Sequence, residues 1–395
     1  MAELTGLVGT ATELSNTYVL DMSNEIMILE PEGDYFIQAL NAVGRSEAKG
    51  RKIEWMEDQY ALRLSAIATS ATSAATTIVV TTGHGTRFRA GDVVKICASG
   101  ENVRVSSIST DTLTVVRAIG VTTAATAQTG VELIIVSNSS AEGASSGTSL
   151  MFKKTAAFNY MQIHRTPLVF TNTDLWVARY GEEEPGREIR KKLVEHRRGI
   201  DQNLYWGPRG TTTDTVQSTT QNLGHAGGVD EYISTNIHSV GGALAATGVD
   251  GYLRSDLQYC REPMAYSAPI PAGAISNFYR SIWAPPVGGT GRAYGVKIEK
   301  WIDGAYGRAV PFKVYPSWND FGTSANQMGG RFYILDMAAL KLRTAPAVRG
   351  KGRFASLRVD IQNPDADAFA AEYLTEFSLE VRNEKQHSRW QGITG

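Results

Sequence analysis

Residues 182–207, EEEPGREIRKKLVEHRRGIDQNLYWG, carry the one long helical period in a chain that otherwise reads as short strands and turns rich in Gly, Thr and Val. Ile189, Leu193, His196, Ile200 and Leu204 recur at steps of 4, 3, 4 and 4, which draws one narrow apolar stripe along a helix roughly 35 Å long. Glu182, Glu183 and Glu184 stand at its start beside Pro185, where the helix dipole favours negative charge and a missing N–H costs little. One side of this helix is read as packing on a sheet, and a long helix among strand-like runs reads as a mixed α+β chain. The rest of the surface mixes signs: Arg187, Glu188, Arg190, Lys191, Lys192, Glu195, Arg197, Arg198 and Asp201. Such a face is either solvated or meets neighbouring copies of the chain. Gly199 sits inside the period, where it weakens a helix by about 1 kcal/mol relative to Ala, and marks a bend or a close packing contact.

A second constraint comes from residues 64–151, which hold ten charged residues in 88 positions, half the density of the remaining chain. Within them TTIVV, GDVVKIC, ENVRVSSI, TLTVVRA and VELIIV are short strands set apart by GHG, ASG and STD turn signals, the spacing of a small β-barrel or sandwich. The Ser, Ala and Gly-rich flanks SAIATSATSAA and SSAEGASSGTS read as joins. Two strand-like runs, GRKIEWMEDQYALRL and FNYMQIHRTPLVFT, bracket this unit, and pairing 51–58 with 158–171 as a hairpin would let the inserted unit leave and return at one place. Residues 1–44 have no sustained period, with Pro31, Gly33 and Asp34 interrupting, and read as an arm lying on something else. After HAGGVDEYISTN comes a mixed region: YLRSDLQYCREPM and AGAISNFYRSIW as helices, YGVKIEKWI and VPFKVYPSW as strands. Two long strand-like pieces, RFYILDMAALKLRTAP and AAEYLTEFSLEVRNEKQHSRWQGI, close the chain around the basic loop VRGKGR.

Several function classes are disfavoured. With 39 Lys plus Arg against 40 Asp plus Glu, the chain lacks the basic excess of a protein that grips nucleic acid through many phosphates. Cys97 and Cys260 are far apart and form no CxxC, and the six histidines, at 84, 164, 196, 225, 238 and 387, show no metal-binding spacing. No apolar run approaches the ~20 residues of a membrane span and no signal pattern opens the chain, which reads as made in the cytosol. Neither a GxSxG elbow nor a Walker loop occurs, and GGTGRAYG at 288–295 runs into a strand rather than a helix, which argues against a dinucleotide site. The acidic groups Glu30, Glu32, Asp34 and Glu54, Glu57, Asp58 suit ion pairs between copies better than paired catalytic carboxylates. A 395-residue chain with no visible active site and no cofactor motif points to a structural role.

The order of these features resembles the major capsid proteins of tailed bacteriophages with the Hong Kong 97 fold, in particular those with a β domain inserted in the extended loop. KIEWMEDQ, the insert containing FRAGDVVKI and ENVRVSSISTDTLTVVRAIGVTTAA, NYMQIHRTPLVFT, EIRKKLVEHRRGIDQNLYWG, HAGGVDEYI and EFSLEVRNEKQHSRWQGI carry the resemblance. It implies an N-terminal arm at 1–44, an extended loop at 45–63 and 152–172, and an inserted β-barrel at 64–151. It further implies a peripheral domain at 173–223 and 331–395 with its spine helix at 182–207, and an axial domain at 224–330.

The implied function is a head protein that assembles through pentamers and hexamers into an icosahedral shell around double-stranded DNA. That function brings portal, scaffold and decoration proteins as partners, no membrane, no cofactor and a place in the virion after assembly in the bacterial cytoplasm. Candidate interface residues are Glu54, Glu57, Asp58, Arg187, Arg190, Lys191, Arg197, Arg198, Arg349, Lys351 and Arg353, and candidate hinges or close contacts are Gly199, Gly227 and Gly228. Encapsulin-type compartment shells share the fold and remain an alternative at this point, as does a β-rich fibre or carbohydrate-binding protein.

Overall fold

The computed structural model describes residues 33–395 apart from 146, 148, 152, 178–183, 217, 281–299, 303–305 and 325. Helix α1 (Tyr35–Val43) leads to strands β1 (Arg45–Glu47) and β2 (Lys52–Glu57). The next six strands are β3 (Leu64–Thr69), β4 (Thr77–Val80), β5 (Asp92–Ile96), β6 (Asn102–Ser109), β7 (Thr112–Val116) and β8 (Glu132–Asn138). There follow β9 (Thr155–Tyr160), β10 (Gln162–Thr171), α2 (Asn172–Trp176), the long α3 (Glu184–Trp206), and the hairpin β11 (Gly210–Val216) and β12 (Thr219–His225). The chain continues through α4 (Val229–Tyr232), β13 (Ile237–Gly242), α5 (Ala246–Asp256), β14 (Pro263–Ser267), α6 (Pro269–Arg280), β15 (Lys300–Ile302) and β16 (Ala309–Val314). It ends with β17 (Phe332–Asp336), β18 (Leu340–Thr344), β19 (Ser356–Val359), β20 (Ala368–Val381) and β21 (Ser388–Ile393).

The chain divides into two compact units, residues 56–156 and the remainder. In the first, β3–β8 close into a barrel in the order β3-β4-β7-β6-β5-β8. This decides between the barrel and sandwich expectations. Its interior is filled by alternate residues of each strand, among them Ile67, Ile78, Val94, Val105, Leu113 and Leu133, because so narrow a barrel leaves room only for side chains. One ion pair is buried with them. Arg117 donates through Nε and Nη2 to the Glu101 carboxylate, both at 2.7 Å, and the amides of Ala118 and Ala125 donate to the same group. Burial opposes ionisation of Glu101, but these donors outweigh it and hold the carboxyl below its usual range. At Gly85 an added Cβ would lie 1.7 Å from the Thr110 carbonyl oxygen, so only glycine fits that turn.

The second unit holds two main sheets. One has the order β1-β18-β20-β10, with β19 also pairing β20; the other runs β13-β21-β17-β14-β16-β15. Phe377, Leu379, Val381, Leu340 and Leu342 present one face of the first sheet to α1 and α3, and Ile200, Leu204, Tyr205, Phe36 and Leu40 complete that core. A second core joins α5 and α6 to the other sheet through Leu253, Leu257, Ile275, Phe332, Ile334 and Trp390.

Both long terminal runs break where the sequence reads as continuous strand, and each half joins a different sheet. A 3-10 turn at Met337–Ala339 separates β17 from β18, and another at Glu384–Gln386 separates β20 from β21. Asp336 supplies the reason for the first: its carboxylate accepts the amides of Arg261, Glu262 and Ala338, which stabilises a turn rather than a further ladder step. The amide of Asp336 donates to Nδ1 of the buried His387, whose Nε2 bonds the Arg382 carbonyl, so one imidazole ties the two corners together.

The expected hairpin of 51–58 with 158–171 is also shorter. β2 pairs with β9, but the chain divides at Met161, and β10 pairs along its whole length with β20, from Gln162 opposite Phe377 to Thr171 opposite Ala368. Of the arm, residues 33 and 34 precede α1 and α1 itself packs into the core; residues 1–32 lie outside the described residues. The loop GGTGRAYG lies outside them as well.

Candidate assembly interface

The apolar stripe of α3 packs on the first sheet. His196, Ile200 and Leu204 are buried, and Ile189 and Leu193 are half-buried towards the N-terminal end. His196 is held on both sides: Nδ1 lies 2.8 Å from the Thr166 hydroxyl of β10 and Nε2 lies 2.7 Å from the Thr375 hydroxyl of β20. Burial, with the His164 ring tilted against it 4.7 Å away, pushes its pKa down to about 4. Gly199 permits this ring contact, since a Cβ there would sit 3.0 Å from His164 Nε2.

Sequence reasoning misplaced Asp201, which is buried rather than part of the charged face. Its carboxylate accepts the Ile37 amide and the Tyr315 hydroxyl, each at 2.8 Å, and Tyr315 in turn accepts the Phe36 amide at 2.7 Å. These are the orphan N–H groups at the start of α1, where the local N-cap residue Asp34 makes no capping bond. A carboxylate from α3 therefore caps α1 in trans. Burial pushes the Asp201 pKa up to about 7.

The candidate residues fall into several places. On α3, Glu188 pairs with Arg187 at 3.1 Å and with Lys191 at 3.7 Å, and Lys192 pairs with Glu195 at 2.5 Å. Arg190 and Arg197 are exposed and Arg198 is half-buried. On β2, Glu54 is exposed and pairs with Lys52 of its own strand. Glu57 is half-buried, while the exposed Asp58 accepts the Gln59 amide. Arg349 and Lys351 are exposed in a tight turn closed between Val348 and Lys351. Arg353 is only half-exposed and forms an ion pair with Glu376 of β20 within its own chain.

Gly227 and Gly228 are close contacts: a Cβ at the first would lie 2.7 Å from Arg209 Cβ, and at the second 2.5 Å from the carbonyl carbon of Tyr205. The side chain of Asn159 holds Gly227 through both its amide and its carbonyl.

One charged array was not anticipated. Glu372, Glu376 and Glu380 share one face of β20, and five arginines grip them. Arg165 and Arg358 reach Glu372 at 3.8 and 3.4 Å, Arg353 reaches Glu376, and Arg343 and Arg382 reach Glu380 at 2.5 Å. The spacing of three glutamates four apart in FAAEYLTEFSLEV is even, so it marks one face of a strand and was readable in principle. Among the described residues no group of three or more His, Cys, Asp or Glu could hold a metal ion, and no helix is long and apolar enough to cross a membrane.

A two-sheet α+β body built on a long helix, together with an inserted barrel, is the architecture expected of a shell-forming subunit. A sequence model of the SU10 major capsid protein matches residues 6–394, and the chain belongs to that family. The cyanophage A-1(L) capsid is similar in structure with a TM-score of 0.52, at 13% identity over 99% of this chain and 100% of that one. A structure from Mycobacterium phage Bobi has a TM-score of 0.50 at 8% identity, covering 99% of this chain and 100% of that one. The holo-SrpI encapsulin of Synechococcus elongatus covers 60% of this chain and 76% of its own, at 11% identity and a TM-score of 0.41. No curated protein matches the chain. Family membership selects the phage capsid over the encapsulin and fibre alternatives.

Proposed function

We propose that the subunit closes, through pentamers and hexamers, into an icosahedral head around double-stranded DNA. It does so after synthesis in the host cytoplasm, with portal, scaffold and decoration proteins as partners. The surfaces that make contact between copies are the charged face of α3, the Arg349–Lys351 turn and the arginine-rich face of the β20 sheet, with the acidic Glu54, Glu57 and Asp58 of a neighbour as the complementary group. One observation supports this most: five arginines stand against three glutamates on a single sheet face, an excess that a separate acidic strand would neutralise. Many modest contacts repeated by closed symmetry then suffice for a stable shell. Electron microscopy of the purified chain, alone and with its scaffold, tests the proposal. Closed shells or rings of five or six copies are expected; dispersed monomers under both conditions would overturn it.

A further inference from the structure

The outside of the inserted barrel carries an apolar patch. Strands β3, β8 and β5 lie side by side in that order. Alternation turns Ser65, Leu133, Ile135, Val94 and Ile96 inward, and it leaves Leu64, Glu132, Ile134, Val136 and Lys95 on the outer face. The register arranges them as a grid. Leu64 of β3 stands opposite Ile134 of β8, and Ile134 stands opposite Lys95 of β5. One row further on, the amide of the exposed Cys97 donates to the Glu132 carbonyl. Leu64, Ile134 and Val136 are 46%, 40% and 54% exposed. A lone exposed apolar side chain is ordinary, but three set together on one sheet face mark a surface that is covered in use.

The charges beside the patch say what covers it. Lys95 and Glu132 are both exposed, and neither enters an ion pair among the described residues. They sit diagonally, on neighbouring strands and one row apart. Consider a two-fold axis lying in the plane of this face, along the line from Cys97 to Ile134. It brings Lys95 of each copy to Glu132 of the other, lays Leu64 on Val136, and sets Ile134 against its own equivalent. One operation thus pairs acid with base and apolar with apolar, which is the property of a self-complementary face. The strands of the two copies then cross steeply, as in orthogonal sheet packing.

We propose that the β3-β8-β5 face of the barrel pairs with the same face of a second copy across a two-fold axis. The grid measures about 10 Å by about 13 Å, far below the ~800 Å² per partner of a standard stable interface. A single pair is therefore weak. The contact adds to those of the shell proposed above and rests on that reading only for its strength.

The full-length chain carries its own probe. Cys97 lies on the axis and is exposed, whereas Cys260 is buried. A short bis-maleimide, added to dispersed chains and to the assembly reaction, should give a covalent dimer that Cys97→Ser abolishes. Lys95→Glu alone and Glu132→Lys alone should each lower the dimer yield severalfold, since each sets like charges together; both positions point outward, so the barrel interior is untouched. Mixing the two variants should restore the yield, because one copy then presents two acids and the other two bases. Absence of the dimer in both samples, while a monofunctional maleimide still labels Cys97, would overturn the proposal. So would a yield that ignores the single reversals, or one that mixing fails to restore. Shells that close without the link remove this contact and leave the shell reading in place. A charge-dependent link in chains that never form shells does the reverse.

Discussion

Asp201 Oδ1 accepts the backbone amide of Ile37 at 2.8 Å, a contact across 164 positions of sequence that fastens the start of α1 to the long helix. The carboxylate is buried, and burial raises its pKa from the ordinary 3.8 to about 7. The folded state therefore favours the protonated form. The stability this group contributes is fully present below the unfolded value near 4 and is lost as pH rises through about 7. Asp201→Asn keeps an acceptor for Ile37 and removes the titration. Chemical unfolding of the variant should lose a slope worth roughly 2–4 kcal/mol between pH 4 and 7. Parallel curves for the two proteins would show that Asp201 stays ionised.

His196 works in the opposite direction. Burial first, and His164 second, lower its pKa to about 4, so the neutral ring is the folded form. The associated stability is present above the unfolded value near 6.5 and is lost as pH falls through about 4. His196→Leu should flatten this acid loss while costing roughly 1–3 kcal/mol at pH 7, because the Thr166 and Thr375 hydroxyls lose their partner. Melting temperatures at pH 7 and pH 5 separate the two effects. A variant that keeps the full acid sensitivity assigns it to another group, with His387 the next to examine, since burial lowers its pKa to about 4 as well.

At Gly199 two effects of similar size compete. Alanine in a helix interior is favoured over glycine by about 1 kcal/mol, yet the new methyl would meet His164 Nε2 at 3.0 Å. Gly199→Ala alone should therefore be neutral or destabilising, and in a His164→Ala background it should stabilise by up to about 1 kcal/mol. Equal effects in the two backgrounds would mean that the imidazole moves aside without cost.

The parts of this fold that were legible in sequence are those specified by nearby residues. Alternating β-branched residues and turn signals within a few positions mark the barrel strands, and a regular period with acids and proline at its start marks α3. What escaped depends on distant partners. Asp201 reads as a surface acid until Tyr315 and the α1 amides are brought to it. The runs ending in Asp336 and Val381 read as unbroken strands because their corners are made by side-chain bonds to Arg261, Glu262 and Arg382. Arg353 reads as a free basic loop residue, although Glu376 engages it within the chain. The even spacing of Glu372, Glu376 and Glu380 was visible, but their arginines come from β10, β18, β19 and the loops beside them.

Arg197 and Arg198 provide the sharpest separation of folding from assembly. Arg197 is exposed and Arg198 half-buried, both outside the buried core, so reversing both to Glu acts mainly on the surface, where a charge is typically worth less than about 1 kcal/mol to stability. At a contact between copies the same change places like charges together at every repeat of the shell, where each juxtaposition costs and symmetry multiplies the cost. The double reversal should leave the unfolding midpoint within a few degrees of the parent while lowering the yield of closed particles severalfold. Sedimentation of the assembly reaction beside a thermal melt measures both. An unchanged particle yield would remove this face from the contacts between copies, and a collapsed melting temperature would show that the two arginines hold the subunit itself together.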